Sequence, residues 1–266
     1  MIPNMILFGK ELSPYMLFSL AGILVILFFT RRLALRQGLD DAHVLSMLLF
    51  AFIGVFVGSH ILYGITQTEY VIYVLTNLQK LDSFSMLIGT LMRIFGGSVF
   101  YGGLIGAVIV CLIYLKHCKL PYGPYMDIAA IAIPLFHFFG RLGCFTSGCC
   151  YGIPWKYGIT YHHSLIEDAN GIPRFPVQLA EAGLNLLLFF VLLRLLKKGH
   201  LQGKLLVLYL TVYPVYRFLL EFLRGDAISG FLGPLSTSQI ISVLLLVGSC
   251  LYWLASLTRK DPKQNG

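Results

Sequence analysis

Arg217 and Glu221 stand four residues apart in an otherwise apolar stretch; Tyr213 precedes Arg217 by four and Arg224 follows Glu221 by three. One helix would carry all four along a single stripe. His137 and Arg141, also four apart, repeat the pattern in another apolar stretch. A guanidinium stays charged and offers a planar fork of donors, which suits a bidentate grip on phosphate. His137 lies one turn before Arg141 on the same face. The blander alternative makes Arg217 and Glu221 an intrahelical pair with Arg224 reaching to an interface. Arg141 has no carboxylate in its own stretch, so that alternative suits it less.

Two further segments carry unusual residues. Gly96-Gly97-Ser98-Val99-Phe100-Tyr101-Gly102-Gly103-Leu104-Ile105-Gly106 opens an apolar run. Its glycines allow close helix packing, and Tyr101 is either a hydrogen-bond donor to an anionic headgroup or an interface anchor. Gly140-Arg141-Leu142-Gly143-Cys144-Phe145-Thr146-Ser147-Gly148-Cys149-Cys150-Tyr151-Gly152 holds three of the six cysteines. It has neither paired C-x-x-C units nor histidines at finger spacing, which argues against zinc. Inert packing, a disulfide and a reactive thiol all remain compatible with it. Cys111, Cys118 and Cys250 read as structural.

The elements that must position these groups follow from composition. Of 266 residues, 57% are hydrophobic and 12% charged, with a mean hydropathy of +0.79. Soluble proteins carry about 45–50% and about 25%. A water-soluble domain, a disordered chain and a small disulfide scaffold are excluded. The net charge of +8 does not indicate nucleic acid, because most lysines and arginines sit in short loops between apolar runs.

Seven runs are long enough to cross a bilayer: 12–30, 42–64, 94–115, 127–145, 177–196, 205–223 and 238–257. The chain therefore reads as an all-α polytopic membrane protein with about seven transmembrane helices. The first run ends in Phe-Phe-Thr-Arg-Arg without a small-residue cleavage site and reads as a retained span. Residues 70–91 are apolar but broken by Asn77, Lys80 and Asp82, as in an interfacial or re-entrant helix. Twelve cations fall on one set of loops and six on the other, with Arg141 and Arg217 inside spans. That asymmetry places the N-terminus outside and the C-terminus in the cytoplasm. The expectation is one transmembrane domain over 1–266, with an outer arm near 65–93 and an outer head near 146–176.

In order and spacing these segments resemble the prolipoprotein diacylglyceryl transferase family of bacterial inner-membrane enzymes. Residues 96–106 look like its Gly-Gly-x-x-x-His-Gly-Gly-Leu-Ile-Gly segment. Residues 140–152 look like its Gly-Arg-x-Gly-Asn-Phe-x-Asn-Gly-Glu signature, Pro173-Arg174-Phe175-Pro176-Val177-Gln178-Leu179-Ala180-Glu181 like its Pro-x-His-Pro-x-Gln-Leu-Tyr-Glu stretch, and residues 217–224 like its Arg-x-x-x-Glu-Phe-x-Arg helix.

The resemblance implies transfer of a diacylglyceryl group from phosphatidylglycerol to the lipobox cysteine thiol of a prolipoprotein signal peptide. A thioether forms, glycerol phosphate leaves, and no metal or redox cofactor is required. The implied catalytic set is Arg141, Arg217, Tyr101, His137 and Glu221. Arg141, Arg224, Tyr15, Gly102, Gly103, Cys144 and Cys149 would bind substrate, Tyr15 by lining the lipid pocket.

The chain departs from the family where Tyr101 replaces a histidine, Cys144 and Cys149 replace asparagine and glutamate, and His60 replaces an arginine. With a reference pKa of about 10, Tyr101 is a poor base, and proton removal would fall to His137 or to the field of the arginines. Two other readings differ in function. One is a related transferase with another donor or acceptor, in which Cys149 is a covalent relay. The other is a membrane protein that binds or moves anionic lipid without chemistry.

Overall fold

The computed structural model describes residues 5–7, 10–80, 83–164, 166–226, 231–232 and 235–258. Arg259, Lys260 and Lys263, counted above for orientation, lie outside them. The chain divides into two compact units, one of residues 34–122 and one of 1–33 with 123–266.

In unit 34–122, helices α2 (Asp41–Thr66) and α5 (Phe100–His117) pack along each other, joined in sequence by α3 (Thr68–Thr76) and α4 (Phe84–Phe95). Asp40 starts α2 by accepting from the amides of Ala42 and His43 at 2.8 and 3.3 Å. The α2–α5 contact runs through glycines four apart on both helices. A Cβ on Gly58 would stand 2.3 Å from the Gly102 carbonyl oxygen, and one on Gly106 would stand 2.1 Å from that of Gly54. Backbone meets backbone there, so nothing flexible can yield. Gly106→Val is expected to cost at least the ~1–3 kcal/mol of an overpacked core, read as a lower thermal midpoint in detergent. Wild-type stability in that variant would refute the close-packing account.

The other unit holds α1 (Pro14–Arg36), counted here through residue 33, α6 (Tyr122–Ser147), α7 (Val177–Lys197), α8 (Leu205–Glu221) and α9 (Thr237–Thr258). Proline at its first helical position suits α1. That helix outlasts its apolar run; near its end Thr30 folds its hydroxyl onto the Ile26 carbonyl at 2.6 Å and Arg32 lies over the Phe28 ring at 4.7 Å. Among the long apolar helices α6 is the most enclosed. Near its start Asp127 accepts from the backbone amides of Gly203 and Leu205, at 2.5 and 2.9 Å, and so caps the start of α8. On α9, Trp253 donates to Thr211 at 3.0 Å and Ser249 donates to the Leu210 carbonyl at 3.1 Å, fastening that helix to α8.

Among the described residues six helices are long and apolar enough to cross a membrane: α1, α2, α5, α6, α7 and α9. The seventh expected span forms α8, which at 17 residues falls short of the other six. Its end is set at Glu221, where the chain turns into polar contacts instead of continuing through Leu223. The run expected over 94–115 also divides, because Gly96-Gly97-Ser98 breaks the helix between α4 and α5. Residues 70–91 form parts of two short helices instead of one.

The chain is all-helical in class, as expected; among the described residues three small antiparallel pairs accompany the helices. They are β1 (Met5–Leu7) with β2 (Lys10–Leu12), β3 (Pro154–Thr160) with β4 (Pro173–Arg174), and β5 (Phe231–Leu232) with β6 (Leu235–Ser236). They fall in connections too short or too mixed in polarity to give a periodic signal.

Candidate functional site

Helices α6, α7 and α8 bring a buried ionic cluster together. Arg141 on α6 directs Nη2 at both carboxylate oxygens of Glu181 on α7, 3.0 Å from Oε1 and 2.9 Å from Oε2. His137, one turn earlier on the same face, places Nε2 3.4 Å from Glu181 Oε1. Tyr213 on α8 donates to that oxygen at 3.5 Å. Asn185 sits one turn beyond Glu181, donates to its backbone carbonyl at 2.8 Å and accepts from Tyr216 at 3.0 Å. Asn185 is also within hydrogen-bond reach of His137. Glu181 is thus a carboxylate hub with groups from three helices around it, 2% exposed.

The cluster is not saturated. Arg141 meets Glu181 through a single nitrogen, and its Nε is buried with no hydrogen-bond partner among the described residues. A buried unsatisfied donor costs roughly 1–3 kcal/mol, so its persistence calls for a reason.

On α8, Arg217 Nη1 lies 2.6 Å from Glu221 Oε2, and Nη2 donates to Ser238 at 3.2 Å. Arg224, just beyond the helix, places Nη1 3.7 Å from the same Glu221 oxygen and clasps Asp226 through Nε at 2.8 Å and Nη2 at 2.5 Å. The intrahelical pair expected as the blander alternative is therefore present. Through Glu221 it extends to Arg224 and on to Asp226. Asp226 and Glu221 hold the Arg224 guanidinium still further into its charged form.

The loop after α6 is ordered. Tyr151, Tyr161 and Ala169 form its small core, with Phe145 and Ile166 against it. Arg174 lies over the Tyr151 ring at 4.4 Å and donates to the carbonyls of Gly152, Asp168 and Ala169. Tyr161 donates to Gln178 at 3.1 Å, and Gln178 donates to the Cys149 carbonyl at 2.8 Å. Backbone bonds then stitch this head to the segment bearing Arg224: Gly225 donates to the Tyr151 carbonyl at 2.9 Å and Ile153 to that of Leu223 at 3.0 Å. At the crossing a Cβ on Gly152 would stand 2.2 Å from the Phe175 carbonyl oxygen. Gly152→Ala is expected to pry these segments apart and to lower the thermal midpoint in detergent. An unchanged midpoint would show that the seam tolerates displacement.

All six cysteines are free thiols. The sulfurs of Cys144, Cys149 and Cys150 nonetheless lie within 4.8 Å of one another, a convergence that their spacing in sequence did not suggest. Cys150 is drawn toward its thiolate by hydrogen bonds from Cys144 and then Cys149, against burial and with help from Arg141 and Arg224.

Of the residues expected at the site, Arg141, His137, Arg217, Glu221, Arg224, Cys144 and Cys149 all lie in the second unit. Tyr15 joins them: it is packed on Gly143, where a Cβ would stand 2.9 Å from its ring. Tyr101, Gly102 and Gly103 belong to unit 34–122. There Tyr101 is buried in the first turn of α5, and the two glycines face Gly58 and Val55 across the helix contact. Sequence reasoning missed Glu181 as the partner of Arg141. The ingredients were legible, since Gln178, Glu181 and Asn185 are polar residues at helical spacing in an apolar run. Which helix they face was not.

The family model described as prolipoprotein diacylglyceryl transferase matches residues 3–255 of the chain. A phosphatidylglycerol–prolipoprotein diacylglyceryl transferase of Clostridium tetani is 31% identical over 243 residues, which span 91% of this chain and 92% of the relative. A Clostridium perfringens protein named phosphatidylglycerol–prolipoprotein diacylglyceryl transferase 2 is 31% identical over 252 residues, 93% of this chain and 92% of its own. A Campylobacter jejuni protein named like the first is 28% identical over 253 residues, covering 92% and 88%.

Proposed function

The chain belongs to the prolipoprotein diacylglyceryl transferase family, and from that premise we propose how its buried cluster serves the family's reaction. The protein is a membrane transferase. It moves a diacylglyceryl group from phosphatidylglycerol to the lipobox cysteine of a prolipoprotein, at the bacterial inner membrane. The sulfur attacks a glyceryl carbon, the carbon–oxygen bond to phosphate breaks, and glycerol phosphate leaves with the electron pair.

Charge develops on the departing phosphate, and fixed positive groups aimed at it lower the barrier. Arg141 is that group. The observation that carries the assignment is its half-used guanidinium, anchored by one nitrogen on Glu181 with Nε left over. Arg217 and Arg224 add field, each restrained by Glu221. His137, backed by the Glu181 carboxylate, accepts the proton of the incoming thiol. Tyr15, packed on Gly143, lines the lipid pocket.

We further read the chain as one transmembrane domain, with α8 counted as a seventh crossing, an arm near 65–93 and a head near 146–176. The charge asymmetry of the loops then puts the N-terminus outside and the C-terminus in the cytoplasm. Complementation of a bacterium depleted of its own transferase tests the function. Rescue of growth, with thioether-linked diacylglyceryl on a reporter lipoprotein, is the expected result. Stable membrane expression without modified lipoprotein would overturn it.

A further inference from the structure

Cys144 ends in the last turn of α6, and the chain then doubles back. Gly148 has φ 76° and Cys150 φ 55°, both in the left-handed region. A non-glycine residue is rarely held there, and Cys150 is held because the turn swings its sulfur back toward the helix end. The surrounding bonds fix that turn. Gly148 donates to the Cys144 carbonyl at 2.9 Å, Ser164 donates to the Gly148 carbonyl at 3.2 Å, and Gln178 holds the Cys149 carbonyl at 2.8 Å.

The outcome is three sulfurs within 4.8 Å of one another, each partly enclosed. Three thiolates about 2.3 Å from a tetrahedral ion sit roughly 3.8 Å apart, so closing on such an ion needs a shift below about 1 Å. A disulfide would use two sulfurs and leave the third without purpose. Three thiolates concentrate negative charge, and the Arg141 guanidinium, three residues before Cys144 on the same helix end, carries the opposite sign. Thiolate ligands select soft and borderline ions over magnesium or calcium.

We propose that Cys144, Cys149 and Cys150 form a trithiolate site for a thiophilic divalent ion of the zinc type, whose fourth position takes the thiol of the substrate cysteine. The site itself stands on the geometry alone; the role of its fourth position rests on the transfer reaction proposed above. Binding the ion releases the three cysteine protons to solvent. The substrate thiol passes its proton to His137, the acceptor assigned above, as its sulfur coordinates. A sulfur lone pair then forms the bond to the glyceryl carbon while the carbon–oxygen bond breaks, and the electron pair departs on the glycerol phosphate oxygen. The neutral thioether is a poor ligand and dissociates. No electrons are exchanged with any cofactor.

The test uses the full chain, purified in detergent, reduced, stripped with a chelator and reloaded with Zn²⁺ or Co²⁺. About one ion per chain is expected, with three thiols protected from a thiol reagent. Cys144→Ser, Cys149→Ser and Cys150→Ser should each weaken retention more than about 10-fold, since even the partners of a ligand are worth 10–100-fold. Cys250→Ser, on the exposed part of α9, should not change it. The cobalt form should show thiolate-to-metal charge transfer, and a lipobox peptide should shift its visible bands where the Cys→Ser peptide does not.

Metal content equal to that of the triple Cys→Ser variant would overturn the site. Metal bound without a peptide-dependent shift would overturn the fourth-ligand role and leave the site standing. Metal and peptide bound, with no diacylglyceryl moved from phosphatidylglycerol, would instead remove the transferase reading.

Discussion

Arg141→Ala is expected to lower diacylglyceryl transfer by about 10²–10³-fold, the usual consequence of removing one preorganised group from a developing oxyanion. Arg141→Lys should recover little, because an ammonium supplies a point charge where a fork is needed. The loss has a structural component, since Glu181 is left buried and unpaired beside His137. The double variant Arg141→Ala with Glu181→Ala separates the two. Removing both charges should restore much of the thermal stability and none of the turnover. Transfer assayed with labelled phosphatidylglycerol and a lipobox peptide reads the first, and a thermal scan the second. Wild-type turnover in Arg141→Ala would remove the arginine from the mechanism.

Glu181→Ala should be the most destabilising single change in the cluster. Taking one member from a buried ion pair costs roughly 3–5 kcal/mol, because the remaining charge has no compensation. Here the hub faces Arg141 at 2.9 Å, His137 at 3.4 Å and Tyr213 at 3.5 Å, so three side chains lose their anchor together. Glu181→Gln keeps the volume and one acceptor oxygen. It should fold, retain membrane expression, and lose transfer because Arg141 is no longer held. A thermal midpoint within error of wild type for Glu181→Ala would contradict the hub assignment.

Local periodicity was readable from the chain; partnerships between helices were not. The apolar runs located α1, α2, α6, α7 and α9 to within a few residues, apart from the extended end of α1. The i, i+4 pattern placed Arg217 and Glu221 on one stripe, where they do pair. Glu181 lies forty residues from Arg141 along the chain, on a separate helix, and no helical spacing links them. The cysteine cluster was hidden for a similar reason. Its sulfurs meet only because Gly148 and Cys150 adopt left-handed backbone, a reversal that a C-x₄-C-C spacing does not announce. The short α8 was overextended because Phe222 and Leu223 are apolar, while the Leu223 carbonyl accepts from Ile153 of the head and Gly225 donates to Tyr151.

Asp127 gives the molecule a common origin of height. It ties the start of α8 to the start of α6, and both helices run the same way from that knot. Arg141 is fourteen residues along one arm from Asp127, and Arg217 is twelve along the other from Leu205. At 1.5 Å per residue these are about 21 and 18 Å, which brings both guanidiniums to nearly one level. Each arm also contains one proline, Pro134 and Pro214. A single inserted residue on either arm would raise everything beyond it by about 1.5 Å and rotate it by roughly 100°, taking Arg141 off Glu181 on one arm and Arg217 off Ser238 on the other. Insertions and deletions should therefore be barred from 127–141 and from 205–217, whatever the apolarity of the residue added.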